Sequence, residues 1–152
     1  MDIYKAFKKY KLKIKGDKIF DPVRNKWVQL TPEEKVRQEM LQFMIQEMRI
    51  PMDRIGVELS LSSLGDTGNR KRIDIGVFNE ENRLIAIVEC KADYIGDKEA
   101  PYQQAIGYVS TLSVYRYFVV DGYDIVGYFY DPHNDQFVKL EEIPTYEELI
   151  KA

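Results

Sequence analysis

Residues 72–91 read Arg72-Ile-Asp-Ile-Gly-Val-Phe78, Asn79-Glu-Glu-Asn82 and Arg83-Leu-Ile-Ala-Ile-Val-Glu-Cys-Lys91, and this stretch decides the fold. Its first and last pieces are rich in isoleucine and valine, which favour strands, whereas the middle piece is polar and suits a turn. The apolar run 84–88 shows no alternation, which is typical of a strand buried on both faces. The stretch therefore predicts a β-hairpin whose second strand lies deep in the protein.

The second strand ends in an acid and a base. Because alternate side chains of a strand point to opposite faces, Glu89 and Lys91 share one face, and Cys90 points to the other as a small core residue. The Glu-x-Lys pattern alone is not specific, since Glu33-Glu34-Lys35 repeats it. That copy lies in a predicted helix, where side chains two residues apart diverge by about 200°. Only the pair on the strand can form a joint site.

The register of the hairpin brings a second carboxylate to this face. If residues 79–82 form a four-residue loop, Phe78 pairs with Arg83 and Asp74 pairs with Ile87. Ile73, Ile75 and Val77 then share one face of the first strand. Asp74 and Glu89 lie together on the other face as diagonal neighbours, about 7–8 Å apart between backbones. A one-residue bulge would separate the two acids.

Two carboxylates on one face suggest a metal site. They repel and raise each other's pKa unless a cation lies between them. Oxygen ligands favour Mg²⁺ or Mn²⁺, and such an ion polarises a phosphoryl oxygen and acidifies a bound water. Lys91 would then orient the water or stabilise charge on the phosphate. The alternative interpretation is a salt-bridge cluster at a sheet edge.

The rest of the chain alternates strands and helices. Thr31 and Pro32 mark a helix start, with Glu34 placed for a capping box. The complete predicted order is β-hairpin, α, β, β, β, α, β, β, α, and an antiparallel meander with helices on its faces is its simplest arrangement. Besides the hairpin above, the predicted elements are a small hairpin at 11–20, strands at 27–30, 54–61, 116–120 and 124–130, and helices from 32 towards 51, from 97 or 98 to 112, and after 144.

Composition narrows the class of protein. The 152 residues suit one domain, and the single cysteine excludes an internal disulfide framework and fits a cytoplasmic setting. The longest apolar run is five residues, so no membrane span is expected. The net charge of −3 argues against binding nucleic acid by bulk charge alone. Residues 1–18 nevertheless carry seven lysines against two aspartates, either as solvated surface or as a phosphate contact beside a site.

Five ordered motifs resemble the PD-(D/E)XK nuclease superfamily, and more narrowly the N-terminal nuclease domain of type I restriction enzyme R subunits. The resemblance covers residues 20–131. The motifs are Trp27-Val-Gln-Leu-Thr-Pro-Glu-Glu-Lys-Val-Arg-Gln38, Ile55-Gly-Val-Glu58, Arg72-Ile-Asp-Ile75, Ile87-Val-Glu-Cys-Lys-Ala92 and Gln104-Ala-Ile-Gly-Tyr108.

The resemblance implies an α/β (mixed α+β) restriction-endonuclease-like fold, in which helices flank a central mixed sheet with an antiparallel meander. The whole chain, residues 1–152, would be one domain, with a hairpin extension at 1–30, a nuclease core at 31–131 and a helical tail at 132–152. It also implies site residues. Asp74 and Glu89 would bind Mg²⁺ or Mn²⁺, Lys91 would be the catalytic lysine, and Gln104, Tyr108, Glu34 and Glu58 would be accessory residues.

A basic run precedes the first acid. Arg70, Lys71 and Arg72 would hold a phosphate near the metal, or else belong to an exposed loop. Ile73 stands where the superfamily often has proline. The lack of proline at this position is common in the subgroup that the chain resembles. No Walker A motif is present and nothing follows Ala152, so we expect a stand-alone domain, a fragment or a relic kept for binding rather than an ATP-driven enzyme.

The leading hypothesis is a metal-dependent hydrolase of DNA phosphodiester bonds. DNA and a divalent metal are the expected partners, and a homodimer or a larger restriction-type complex is left open. The first alternative is a catalytically inactive module that keeps the nuclease fold for nucleic-acid binding or protein interaction. A structural subunit of a larger complex is the second.

Overall fold

The computed structural model describes residues 10–65, 71–92 and 102–151, with side chains throughout except at 102–106. Within these ranges the chain forms two sheets and three α-helices. In chain order the elements are β1 (Ile14–Lys15), β2 (Lys18–Asp21), β3 (Lys26–Gln29), α1 (Pro32–Gln46), a 3₁₀ turn (Met52–Arg54), β4 (Ile55–Ser60), β5 (Arg72–Phe78), β6 (Leu84–Cys90), α2 (Tyr102–Leu112), β7 (Arg116–Val120), β8 (Ile125–Asp131), β9 (Gln136–Lys139) and α3 (Tyr146–Lys151).

The larger sheet has six strands in the order β4-β5-β6-β7-β8-β9. All neighbours are antiparallel except β6 and β7, which run parallel. A parallel pair needs a long crossover connection, and the segment joining β6 to β7 contains α2. The mixed α/β, restriction-endonuclease-like fold class predicted from the sequence is confirmed, with its meander in β4, β5 and β6. The smaller sheet is antiparallel, with strand order β1-β2-β3.

The helices cover both faces of the large sheet. Buried side chains of α1 and α3 form one apolar cluster with Ile75, Val88 and Cys90. The buried face of α2 contributes Tyr108 to a second cluster that includes Ile87. Cys90 is a buried core residue, as the alternation along its strand predicts.

Helix α1 begins as its sequence predicts and ends earlier. The Thr31 hydroxyl caps it, since its Oγ1 accepts the backbone N–H of Glu34 at 3.0 Å. The helix ends at Gln46, five residues before Pro51. Arg49 has a left-handed φ of 58°, a conformation that no helix continues through.

Strand β9 does not appear in the order predicted from sequence. It pairs along its length with the end of β8, from Tyr128–Lys139 to Asp131–Gln136. Its four residues are too short for a reliable period-two pattern, and Phe137 is buried only because β8 and the second cluster lie against it. A short edge strand of this kind is defined by its neighbour.

The loop between β5 and β6 is one residue longer than predicted. Phe78 pairs with Leu84, so the predicted pairing of Phe78 with Arg83 is wrong and the loop spans 79–83. The loop is closed by the backbone N–H of Asn79, which donates to the carbonyl of Arg83 at 2.9 Å.

A register shift lies between Val77 and Phe78, beyond which Gly76 pairs with Ile87. The predicted pairing of Asp74 with Ile87 is therefore wrong as well. The longer loop and the shift each displace the register by one residue in the same direction. Because the side-chain period of a strand is two, a combined displacement of two residues keeps the parity that the sequence predicts between Asp74 and Glu89. It also moves Asp74 from a diagonal position towards one directly opposite Glu89.

Strand β5 changes the face that it buries at Asp74. Ile75 packs in the cluster beneath α1, whereas Ile73 packs in the cluster beneath α2, so the prediction that both share one face is wrong. On the neighbouring strand, Glu58 has a left-handed φ of 56°, which is uncommon outside glycine and breaks the regular pleat there. Asp74 therefore lies at the point where β5 changes the face that it buries, between the two apolar clusters.

We expect Gly127→Ala to destabilise the protein by about 1–3 kcal/mol, because its Cβ would lie 2.7 Å from Cε1 of the buried Phe118 ring. Gly107→Ala is the matched control, since no described atom lies within 4 Å of that Cβ, and it should stabilise helix α2 by about 0.5–1 kcal/mol. Urea unfolding of the two variants measures both changes. Equal unfolding midpoints would contradict this description of the β7–β8 contact.

Candidate functional site

Where β5 and β6 separate, the Asp74 carboxylate accepts a hydrogen bond that a backbone carbonyl of the neighbouring strand would otherwise accept. The last β5–β6 pair is Ile75–Val88, while β6 stays paired with β7 through Cys90. The backbone N–H of Cys90 donates to Asp74 Oδ2 at 2.7 Å. A buried N–H needs a partner, so this bond offsets the missing ladder contact and holds Asp74 beside the end of β6.

Glu89 lies next to Asp74 in a nearly closed environment. Its side chain is buried, with 7% of the residue exposed, and the Tyr108 hydroxyl donates to its Oε1 at 3.1 Å. Burial, the charge of Asp74 and a hydrogen bond with Asp74 raise the pKa of Glu89 to about 8, against weaker lowering by Tyr108 and Lys91. Without a cation, Glu89 therefore keeps its proton near neutral pH.

Lys91 directly follows β6 at this end of the sheet. Its backbone N–H donates to the Val120 carbonyl at 2.8 Å, which continues the parallel ladder. Its side chain is half-buried and makes no hydrogen bond or ion pair with the described residues. Its charge nevertheless lowers the pKa of both Glu89 and Glu33, so the ammonium lies within electrostatic range of the acids.

Arg37 is the centre of a charged cluster that it forms with Glu34, Glu58 and Asp74, the Arg37 cluster, and none of the sequence patterns marked it as a site residue. Only 4% of it is exposed. Nη1 contacts Glu34 Oε1 at 2.6 Å, and Nη2 contacts Glu58 Oε1 at 2.5 Å and Asp74 Oδ1 at 3.1 Å. Burial alone would lower the pKa of Arg37, but the three carboxylates outweigh it and raise the pKa above its ordinary value. One guanidinium thus joins α1, β4 and β5.

A sequence signal for Arg37 exists but is incomplete. It lies three residues after Glu34 and four after Glu33, the spacings at which helix side chains meet. Arg37 Nη2 does lie 3.7 Å from Glu33 Oε1. Glu58 and Asp74, its partners in the sheet, are 21 and 37 positions away along the chain, and no local spacing predicts contacts of that range.

Glu34 uses both carboxylate oxygens within the protein. Oε1 accepts from Arg24 at 2.8 Å and from Arg37 at 2.6 Å, and Oε2 accepts from Gln38 at 3.1 Å. The side chain therefore serves this network instead of the capping box expected from sequence. Arg24 also pairs with the buried Asp21 at 2.6 Å, so the network connects the small sheet to α1.

The structure says less about the remaining candidates for the site, which are Gln104, Arg70, Lys71 and Arg72. Gln104 lies in the first turn of α2, one turn before Tyr108, and its side chain is outside the described residues. Arg70 also lies outside them. Lys71 and Arg72 are exposed where β5 begins, two to three residues before Asp74. The structure thus brings together Asp74, Glu89, Tyr108, Glu58 and Glu34, with Lys91 beside them.

The donor chemistry of the acid pair fits a hard divalent cation. Asp74 and Glu89 supply carboxylate oxygens, and Mg²⁺ is typically held by one or two carboxylates together with waters and phosphate oxygens. Across residues 10–65, 71–92 and 102–151, no three His, Cys, Asp or Glu side chains are grouped closely enough to hold a metal. Asp74 Oδ1 is already engaged by Arg37. Two carboxylates of this kind suit a cation whose other ligands come from water and substrate.

We expect Arg37→Met to destabilise the protein by about 3–5 kcal/mol, because it leaves Glu34, Glu58 and Asp74 without their buried counter-charge. Arg83→Met is the control, since Arg83 is exposed, and it should change stability by no more than about 0.5 kcal/mol. Urea unfolding compares the two. Similar stability of the two variants would show that the cluster does not depend on this guanidinium.

The raised pKa of Glu89 predicts a pH-dependent stability. Folded Glu89 keeps its proton up to about pH 8, whereas the unfolded residue ionises near 4.5, so unfolding becomes easier as pH rises through this interval. We expect the free energy of unfolding of the wild type to fall by a few kcal/mol relative to Glu89→Gln between pH 5 and 8. Urea titrations with EDTA present measure it, and a pH-independent difference would contradict the assignment.

Comparisons with known proteins place the chain in a family. Residues 32–144 match the family model described as the type I restriction enzyme R protein N terminus (HSDR_N). No curated protein sequence matches the chain. A solved fragment described as an HsdR subunit of a type I restriction enzyme from Vibrio vulnificus YJ016 shares the fold, with a TM-score of 0.56 and 21% identity.

The alignment with that fragment covers 80% of this chain and 25% of the solved one, so the chain spans about a quarter of its length. None of the helices within the described ranges is long and apolar enough to cross a membrane. The family match extends over most of the chain, from the first turn of α1 to the segment before α3. The protein belongs to the family of type I restriction enzyme R protein N-terminal domains.

Proposed function

We propose that this domain hydrolyses phosphodiester bonds of DNA in the cytoplasm, with Mg²⁺ or Mn²⁺ as its cofactor. The observation that carries the proposal is the meeting of two carboxylates at the end of β6, beside a lysine amine that no described side chain engages. The raised pKa of Glu89 marks two acids that are unfavourable together unless a cation joins them. Membership in a family named for restriction enzymes supports the choice of DNA.

The acids Asp74 and Glu89 would hold the metal. When bound, such an ion polarises a phosphoryl oxygen and lowers the pKa of a water. The protein's own contribution is to orient the two acids. The Cys90 N–H and Arg37 hold opposite oxygens of Asp74, and Tyr108 holds one oxygen of Glu89.

Lys91 would act on the substrate. Its ammonium would attract the scissile phosphate and stabilise the negative charge that develops on it, or orient the attacking water. Because no described side chain competes for this amine, it is available to the substrate. Arg70, Lys71 and Arg72 would contact a neighbouring phosphate, and Gln104 would support the site together with Tyr108.

The assembly that uses this domain is part of the same proposal. The solved fragment of similar fold is described as a subunit of a type I restriction enzyme, and this chain spans about a quarter of it. We propose that the domain acts on DNA within a larger restriction-type complex, with a homodimer as the other arrangement.

We expect Lys91→Ala to lower DNA cleavage by on the order of a hundredfold or more, because it removes the charge that stabilises the reacting phosphate. The fold should be retained, since the side chain bonds to nothing described. Asp74→Asn should abolish metal-dependent cleavage, and Lys139→Ala, an exposed lysine on β9, should cut like the wild type. The assay uses supercoiled, linear and single-stranded DNA with Mg²⁺ or Mn²⁺. Undiminished cutting by Lys91→Ala would overturn the catalytic assignment.

A second candidate function is a nuclease fold kept for binding nucleic acid or protein. It is favoured by Arg37, whose guanidinium already supplies positive charge to Asp74, Glu58 and Glu34. A wild type that cuts no DNA but binds it equally well with and without EDTA would support this function over hydrolysis.

A further inference from the structure

The small sheet has one buried face and one exposed face. Ile19 and Asp21 point inward and are fully buried. Phe20 and Trp27 are directly paired across β2 and β3 on the opposite, outward face. The Trp27 ring packs edge-on against Phe20, with centroids 5.4 Å apart, yet 46% of the residue is exposed. A rigidly supported indole is therefore displayed to solvent.

Three lysines share this outward face. Lys15 and Lys18 are paired directly across the first hairpin, and alternation puts Lys13 on the same side. The Lys13 ammonium lies 5.3 Å from the centre of the Phe20 ring, and Lys18 donates to Gln29 Oε1 at 3.0 Å. None of the three pairs with a carboxylate among the described residues. We call Lys13, Lys15, Lys18, Phe20 and Trp27 the lysine–tryptophan face.

The lysine–tryptophan face carries an excess of positive charge. Like charges placed directly opposite each other on a sheet are destabilising, and Lys15 and Lys18 are such a pair. Residues 11–29 carry six Lys or Arg against two Asp, although the whole chain has a net charge of −3. One of the two acids, Asp21, is buried and paired with Arg24. An anionic partner would relieve this local excess of positive charge.

The geometry identifies the kind of anion. A row of lysines beside an exposed aromatic ring matches a polymer that alternates phosphates with flat bases. The ring of Trp27 requires an unpaired base, because the bases of a duplex are stacked on each other. We propose that the lysine–tryptophan face binds single-stranded DNA, with phosphates on Lys13, Lys15 and Lys18 and a base stacked on Trp27. The choice of DNA rests on the proposed function.

The face is physically joined to the candidate site. Asp21 follows Phe20 in β2 and pairs with Arg24, and Arg24 pairs with Glu34 of the Arg37 cluster. A DNA strand bound to the lysine–tryptophan face would thus be connected through these ion pairs to the first turns of α1. The family match begins at residue 32, so this face lies outside the part of the chain that the family describes.

The test uses Trp27 itself, because it is the only tryptophan in the chain. The wild type is titrated with a single-stranded DNA oligonucleotide in EDTA, and Trp27 fluorescence is followed at several salt concentrations. We expect quenching on binding. Combined Lys13→Ala, Lys15→Ala and Lys18→Ala should weaken binding on the order of tenfold and reduce the salt slope by about 2. Trp27→Ala, followed by anisotropy of a labelled oligonucleotide, should weaken binding about fivefold or more.

Lys139→Ala combined with Lys151→Ala is the control, since both residues are exposed on other elements, and it should bind like the wild type. Unquenched Trp27 fluorescence, or a triple lysine variant that binds like this control, would overturn the proposal. Binding to phosphatidylserine vesicles but not to DNA would overturn it too, in favour of a membrane contact. EDTA prevents metal-dependent cutting, so this assay measures binding alone. If the domain proved not to hydrolyse DNA, the quenching of Trp27 fluorescence would still be expected.

Discussion

The buried Arg37 guanidinium is the interaction on which the rest of the site depends. Removing a charge from water is costly, and only several well-placed carboxylates offset that cost. Glu34, Glu58 and Asp74 come from α1, β4 and β5, so compensating one charge fixes three elements relative to one another. The same contacts orient Asp74, which ties the electrostatics of folding to the geometry of the candidate metal pair.

A second constraint acts through the backbone. Strand β6 leaves β5 and continues beside β7, and the N–H of Cys90 would lack an acceptor if Asp74 were apolar. A carboxylate at the point of divergence serves both the ladder and the site. The position of Asp74 is therefore set by the separation of β5 from β6. Glu89 is held by a hydrogen bond from the Tyr108 hydroxyl of α2, the helix that connects β6 to β7.

The sequence carried much of this architecture because its signals are local. The apolar run of β6, the Thr31 cap of α1 and the polar turn after β5 each involve neighbours within a few residues. The proximity of Asp74 and Glu89 was also predictable, although the strand register from which it was predicted was wrong. A longer loop and a register shift, each of one residue, together displace the pairing by two residues, which keeps the predicted parity of the two acids.

What the sequence determined by itself was most of the strands and helices, the fold class and the choice of Asp74, Glu89 and Lys91 as candidate site residues. Only the tertiary structure decided that Arg37 is surrounded by carboxylates, that Glu34 joins this network, that β9 extends the sheet and that Trp27 stands among lysines. The physical reason is range. Hydrogen bonds and periodicity along one element are written in adjacent residues, whereas charge compensation and strand pairing depend on segments that meet only after folding.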